Sequence, residues 1–119
     1  MFTISKQFHF SASHQLTDLP VEHPCARLHG HNYIVILKLR AEKLNTDGFV
    51  EDYRNLDFFK KYIDTTMDHR HLNDVFKHNK ITAEFLAQHF YEWSKPQLIP
   101  LYKVMVSETP KTWATYQVD

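Results

Sequence analysis

A chain of 119 residues is long enough for a hydrophobic core of its own and reads as one domain, residues 1–119. Its 14 Lys and Arg balance 14 Asp and Glu, which removes any general electrostatic case for nucleic acid or an anionic membrane surface and favours a small polar ligand. No apolar stretch approaches the ~20 residues that span a bilayer, and one cysteine excludes an internal disulfide, so a cytoplasmic protein is expected.

The N-terminus alternates from Phe2 to His14 with its even positions mostly apolar, which predicts a strand over 1–12 and differs from the continuous apolar block of a signal peptide. A second strand is expected over 31–41, where Val35, Leu37 and Leu39 point one way and Ile34 and Ile36 the other. Helical spacing of Leu56, Phe59, Ile63 and Met67 predicts a helix over 55–66. Thr82 is an N-cap for a second helix that carries Leu86, Phe90 and Trp93 and is stopped by Pro96 and Pro100. A hairpin follows, 101–109 and 111–118, turning near Pro110.

The order ββααββ defines an α+β fold, with one four-stranded antiparallel sheet and both helices on one face. Two helices cover only one side of a sheet whose second strand is apolar on both. A partner subunit over the other side predicts a homo-oligomer; aromatic side chains folding over it are the alternative, with nine Phe, six Tyr and two Trp available.

The segment Cys25-Ala26-Arg27-Leu28-His29-Gly30-His31 carries the chemistry. On extended backbone His29 and His31 leave the same face, spaced for one metal ion, or else they form a turn with two solvated imidazoles. Zinc takes nitrogen and sulfur ligands, and a catalytic zinc keeps three protein ligands and one open position. Pairing of the first two strands would bring His14 in as the third ligand. Cys25 is a candidate nucleophile or base, with a buried inert thiol as the ordinary alternative. Asp68 can orient His69 for proton exchange with Cys25, if the fold or a neighbouring subunit brings them together, or can cap a helix end. His9, His23, His71, His78 and His89 lack a partner at metal spacing. Glu108, at the end of the third strand, is either solvated or accepts two N–H bonds from the amidine-like edge of a pterin or guanine.

Phe10-Ser11-Ala12-Ser13-His14, Cys25 through Tyr33, Asp68-His69-Arg70-His71-Leu72-Asn73, Thr82-Ala83-Glu84 and Ser107-Glu108-Thr109-Pro110 together resemble the 6-pyruvoyl-tetrahydropterin synthase family. The three residues between Cys25 and His29 resemble its 6-carboxytetrahydropterin synthase branch, of queuosine biosynthesis, whereas pyruvoyl-forming relatives usually have a longer spacer. The resemblance implies Zn2+ on His14, His29 and His31, proton abstraction by Cys25, a relay through Asp68 and His69, and a pterin anchored by Glu108. Thr82 and Arg27 are further substrate-binding candidates. It implies the tunnelling fold, with three subunits closing a barrel and two rings stacking into a homohexamer. The reaction implied converts 7,8-dihydroneopterin triphosphate to 6-carboxytetrahydropterin with release of acetaldehyde and triphosphate.

Ile81, Phe85 and Tyr53 depart from residues frequent in the family. Three rival readings follow from the same residues. One is a pyruvoyl-forming synthase that stops at triphosphate elimination. Another is a cupin-like enzyme, which needs a Glu a few residues beyond the second His where Ile34, Val35 and Ile36 stand. The last is a non-enzymatic module in which Cys25 closes a structural zinc site.

Overall fold

The computed structural model describes residues 1–119. Strand β1 (Phe2–His14) pairs antiparallel along its whole length with β2 (His29–Ala41), in a register that sets Ala12 opposite His31 and His14 opposite His29. Helix α1 (Asp57–Thr66) follows, then β3 (Arg70–His71), α2 (Leu72–Phe76) and α3 (Ala83–Ser94), and finally β4 (Leu101–Thr109) and β5 (Thr112–Gln117). The sheet order is β3-β1-β2-β4-β5.

The α+β architecture agrees with the sequence pattern, with one correction. The sheet has five strands and is mixed, because β3 runs parallel to β1 at Ala12–Arg70 and Ser13–His71. A two-residue strand and the five-residue α2 are too short to leave a periodic signal, so neither was visible in the sequence. Several boundaries also move, β2 beginning at His29 instead of 31 and the last strand spanning Thr112–Gln117 instead of 111–118. The turn Tyr53–Leu56 is 3-10, with Asp52 accepting from the Arg54 N–H, and α1 proper begins at Asp57. β1 continues two residues beyond 12, which carries His14 into the sheet.

Period-two alternation decides which side chains enter the core. Phe8, Phe10 and Ala12 of β1, Tyr33, Val35, Leu37 and Leu39 of β2, and Val104 and Val106 of β4 all face the helices. Phe59 and Ile63 of α1 and Leu86, Ala87 and Phe90 of α3 meet them. Phe90 stands edge-on to both Phe10 (6.1 Å) and Phe59 (5.3 Å), a favoured aromatic geometry that fixes α3 over β1. Thr82 caps α3 as its sequence suggests, accepting from the Phe85 N–H at 3.1 Å. The opposite face of β2 is not covered from within the chain. Ile34 and Ile36 stay half-buried beside His9, Gln7 and Met105.

Candidate functional site

The β1–β2 register alone assembles a three-nitrogen centre. His29 and His31 leave one face of β2, and the pairing of His14 with His29 delivers the third imidazole. Their ring nitrogens all lie within 4.8 Å of one another. Two backbone carbonyls set the tautomers: His14 Nδ1–H donates to Ile81 O at 2.6 Å, and His29 Nδ1–H donates to Arg27 O at 2.7 Å. Both rings therefore turn Nε2 inward, the outer-shell device that orients metal-binding imidazoles. Ile81 sits one residue before the α3 cap, so helix and metal centre share one anchor.

Burial pushes the His14 pKa down from 6.5 to about 4, and the neighbouring imidazoles push the same way. His31 is lowered too, first by burial and then by His29. Neutral rings are what a metal needs. The buried Nε2 of His31 has no hydrogen-bond partner. Glu108 approaches, with Oε1 4.0 Å from His14 Nε2 and Oε2 3.7 Å from His31 Nε2. Convergent lone pairs beside a carboxylate repel one another unless a cation lies among them. The donor set thus fits a divalent ion such as zinc, with three nitrogens and room for a further ligand.

Glu108 is itself half-buried, and burial raises its carboxyl pKa; the His29 ring opposes this and Glu84 adds to it. The two glutamates line a cavity of about 350 Å³ between the α3 N-terminus and the β4–β5 turn, with Ala83, Thr112, Trp113 and Ala114. Glu84 was quoted in the sequence motif without a role, and its place beside Glu108 depends on the docking of α3 against β4. A second, more open depression of about 470 Å³ lies between Ser11, Ser13, Asn32, His31 and the β3 segment His69–His71.

Asp68 and His69 do touch. The Ser11 N–H donates to Asp68 Oδ1 and His69 Nδ1–H donates to Oδ2, both at 2.9 Å. These two bonds, the backbone one first, hold the Asp68 carboxyl below its usual range. His69 adopts φ 59°, an uncommon left-handed conformation for a non-glycine residue, and its N–H is anchored on Ser11 O at 2.6 Å. The result presents its imidazole outward, with 81% of the side chain exposed.

Cys25 lies in a 3-10 turn, Pro24–Ala26, whose first N–H is capped by His23 Nδ1 at 3.0 Å. The Cys25 carbonyl accepts from Leu16 N–H at 2.9 Å, tying the turn to the end of β1. Its thiol is not among the convergent metal-binding atoms, and no hydrogen bond joins it to His69. Of the other candidates, Thr82 spends its side chain on the helix cap and Arg27 is exposed. His71 gains a partner the sequence did not reveal, Ser13 Oγ at 2.9 Å, because β3 lies beside β1.

A mixed sheet backed by helices, with three histidines and a carboxylate at one end of paired strands, defines an α+β protein with a candidate metal site. The family model for 6-pyruvoyl tetrahydropterin synthase matches residues 3–119, and the chain belongs to that family. A putative 6-pyruvoyl tetrahydrobiopterin synthase of Caenorhabditis elegans is 38% identical over 97 residues, covering 75% of this chain and 68% of that protein. A 6-carboxy-5,6,7,8-tetrahydropterin synthase of Synechocystis is 32% identical over 123 residues, covering 98% and 93%. The solved structure of the Caenorhabditis elegans 6-pyruvoyl tetrahydropterin synthase superposes with a TM-score of 0.85 at 33% identity, covering 99% of this chain and 96% of that one. Relatives of both branches match, so similarity establishes pterin-synthase chemistry at the level of the family.

Proposed function

We propose that this protein is a metal-dependent lyase that eliminates triphosphate from 7,8-dihydroneopterin triphosphate. The observation that carries this reading is the convergence of His14, His29 and His31 beside Glu108. His14, His29 and His31 would hold the zinc ion, which when bound would supply Lewis-acid polarisation of the substrate's side-chain hydroxyls. The Glu108 carboxylate accepts two N–H bonds from the pterin edge and fixes the ring. Cys25, as thiolate, takes a proton from the side-chain carbon next to a hydroxyl. Breaking that C–H bond provides the electron pair that expels triphosphate. A free thiol has a pKa near ~8.5, so this role needs a neighbouring positive charge or imidazole. Asp68 holds His69 to accept the proton from Cys25, with the two residues contributed by adjacent subunits of a homo-oligomer.

The likeness to two nematode matches, a sequence 38% identical and a solved structure 33% identical with a TM-score of 0.85, favours 6-pyruvoyl-tetrahydropterin as the product. A second reading is favoured by the three-residue spacer between Cys25 and His29 and by the 32% identical Synechocystis protein. In it a water molecule adds to the side-chain carbonyl next to the ring and the adjoining carbon–carbon bond breaks, releasing acetaldehyde and leaving 6-carboxytetrahydropterin, as queuosine biosynthesis requires. Incubation of the purified, zinc-loaded protein with dihydroneopterin triphosphate tests both. Triphosphate without acetaldehyde supports the pyruvoyl product, and equimolar acetaldehyde supports the carboxy product. Absence of triphosphate release would refute the lyase assignment.

A further inference from the structure

Alternation along β2 puts Tyr33 on the same face as His29 and His31. Its ring is wholly buried, stacked on Phe10 at 4.8 Å and 11°, with His31 at 5.5 Å and His14 at 6.2 Å standing edge-on. Packing on three sides leaves the ring no freedom to swing out. Its hydroxyl nevertheless has no hydrogen-bond partner, and buried polar groups without one are rare enough to require an explanation.

The strand register brings one candidate acceptor alongside, Glu108. The β2–β4 ladder ends at Ile34 opposite Ser107, so the next step along each strand reaches Tyr33 and Glu108. Glu108 itself accepts no hydrogen bond; its oxygens stand 3.7 and 4.0 Å from imidazole nitrogens. Other nearby hydroxyls are engaged, Ser107 with the Thr109 carbonyl and Thr82 with the α3 cap. An orphaned donor and an orphaned acceptor therefore sit at adjoining positions in a half-buried site.

We propose that Tyr33 is a positioning residue for Glu108, its hydroxyl donating to the carboxylate and aiming it at the bound heterocycle. A carboxylate has about four lone-pair sites. The edge of an amidine-like ring uses two of them, one on each oxygen, and the phenol takes a third. The carboxylate is then held between a rigid protein donor and the ligand, and fewer of its rotamers compete with the binding geometry. Sequence reading placed Tyr33 in a strand and at the end of the Cys25–Tyr33 motif without giving it a role, since nothing in its type distinguishes a core tyrosine from one that serves a site.

This inference rests on Glu108 being the pterin anchor of the proposed function, and a double-mutant cycle on zinc-loaded protein separates the two. The probe is 7,8-dihydroneopterin, which lacks the triphosphate, with affinity and zinc content measured for wild type, Tyr33→Phe, Glu108→Ala and the double variant. Tyr33→Phe should keep its zinc and fold and bind the probe about tenfold more weakly, the scale of one hydrogen bond to a charged group. In the Glu108→Ala background the same change should cost less than about twofold. Unchanged affinity of Tyr33→Phe, an equal loss in both backgrounds, or loss of zinc or fold in Tyr33→Phe would each overturn the positioning role. If wild type binds the probe and Glu108→Ala binds it equally well, the anchor assignment fails and takes the Tyr33 role with it.

Discussion

The three imidazoles of the histidine centre are held differently, and this makes single substitutions informative. His14 is fixed by Ile81 O and His29 by Arg27 O, while His31 offers a buried Nε2 with nothing else to bind. Removing one ligand of three leaves an incomplete site. His29→Ala and His31→Ala are each expected to lose bound zinc on purification, and full occupancy in either, by metal analysis, would sink the site. Cys25 should behave in the opposite way, because its thiol stands outside the convergent set. Cys25→Ala is expected to retain zinc and lose turnover by at least the ~10²- to 10⁴-fold typical of general acid–base catalysis. Zinc content and product formation are read on the same preparation. Loss of zinc would move the thiol into the metal's coordination shell, and near-normal turnover would remove it from the reaction.

The elements differ in how plainly the sequence announces them. β1, β2, α1, α3 and the β4–β5 hairpin all follow from period-two or helical spacing. The register of β1 on β2, and with it the third histidine, follows from their antiparallel pairing. What stayed hidden depends on tertiary contact over long sequence separations. β3 exists because Ser11 receives Asp68 and His69, 57 residues away in the case of the Asp68 bond. The Tyr33 hydroxyl and Glu84 acquire meaning only from what packs beside them. The join between α1 and α3 is of the same kind. The Tyr62 hydroxyl and His89 Nε2 are hydrogen-bonded at 2.7 Å, with the His89 ring edge-on to Phe76 and parallel to Phe85. Burial lowers the His89 pKa below 6.5, only partly opposed by Glu92 one turn away. The unfolded chain therefore takes up a proton at higher pH than the native one. The contribution of His89 to stability is constant above its unfolded pKa and declines as pH falls from about 6.5 toward the native pKa. Urea midpoints of the zinc-loaded protein at about pH 7.5 and about pH 5.5 test this. His89→Gln is expected to lose less stability over that interval than wild type. Equal losses would show that the pH dependence arises elsewhere.

At the scale of the whole molecule, the sheet is unfinished on three sides. β5 has no partner on its outer edge, β1 is covered by β3 only at Ala12 and Ser13, and Ile34 and Ile36 leave the face away from the helices partly apolar. Long uncovered edges invite pairing with another chain, and pairing two different edges is a head-to-tail contact, which gives a ring where the rotation closes and a filament where it does not. The chemistry is divided in a corresponding way. His69 projects outward just before β3, ordered by Asp68, while Cys25 sits beyond the end of β1 on a turn with no hydrogen bond to it. Association that brings the His69 of one copy to the Cys25 of another would complete the proposed relay and cover the exposed edges together. Complementation distinguishes this from a relay within one chain. Cys25→Ala and His69→Ala should each be inactive alone, since each homo-oligomer lacks one of the two groups at every site. After mixing and exchange of subunits, some interfaces pair an intact Cys25 with an intact His69. Activity should then reappear, to a fraction of wild type set by how many mixed interfaces form. If sedimentation confirms mixed oligomers and activity stays at the level of the separate variants, the two residues act within one chain and the shared site is wrong.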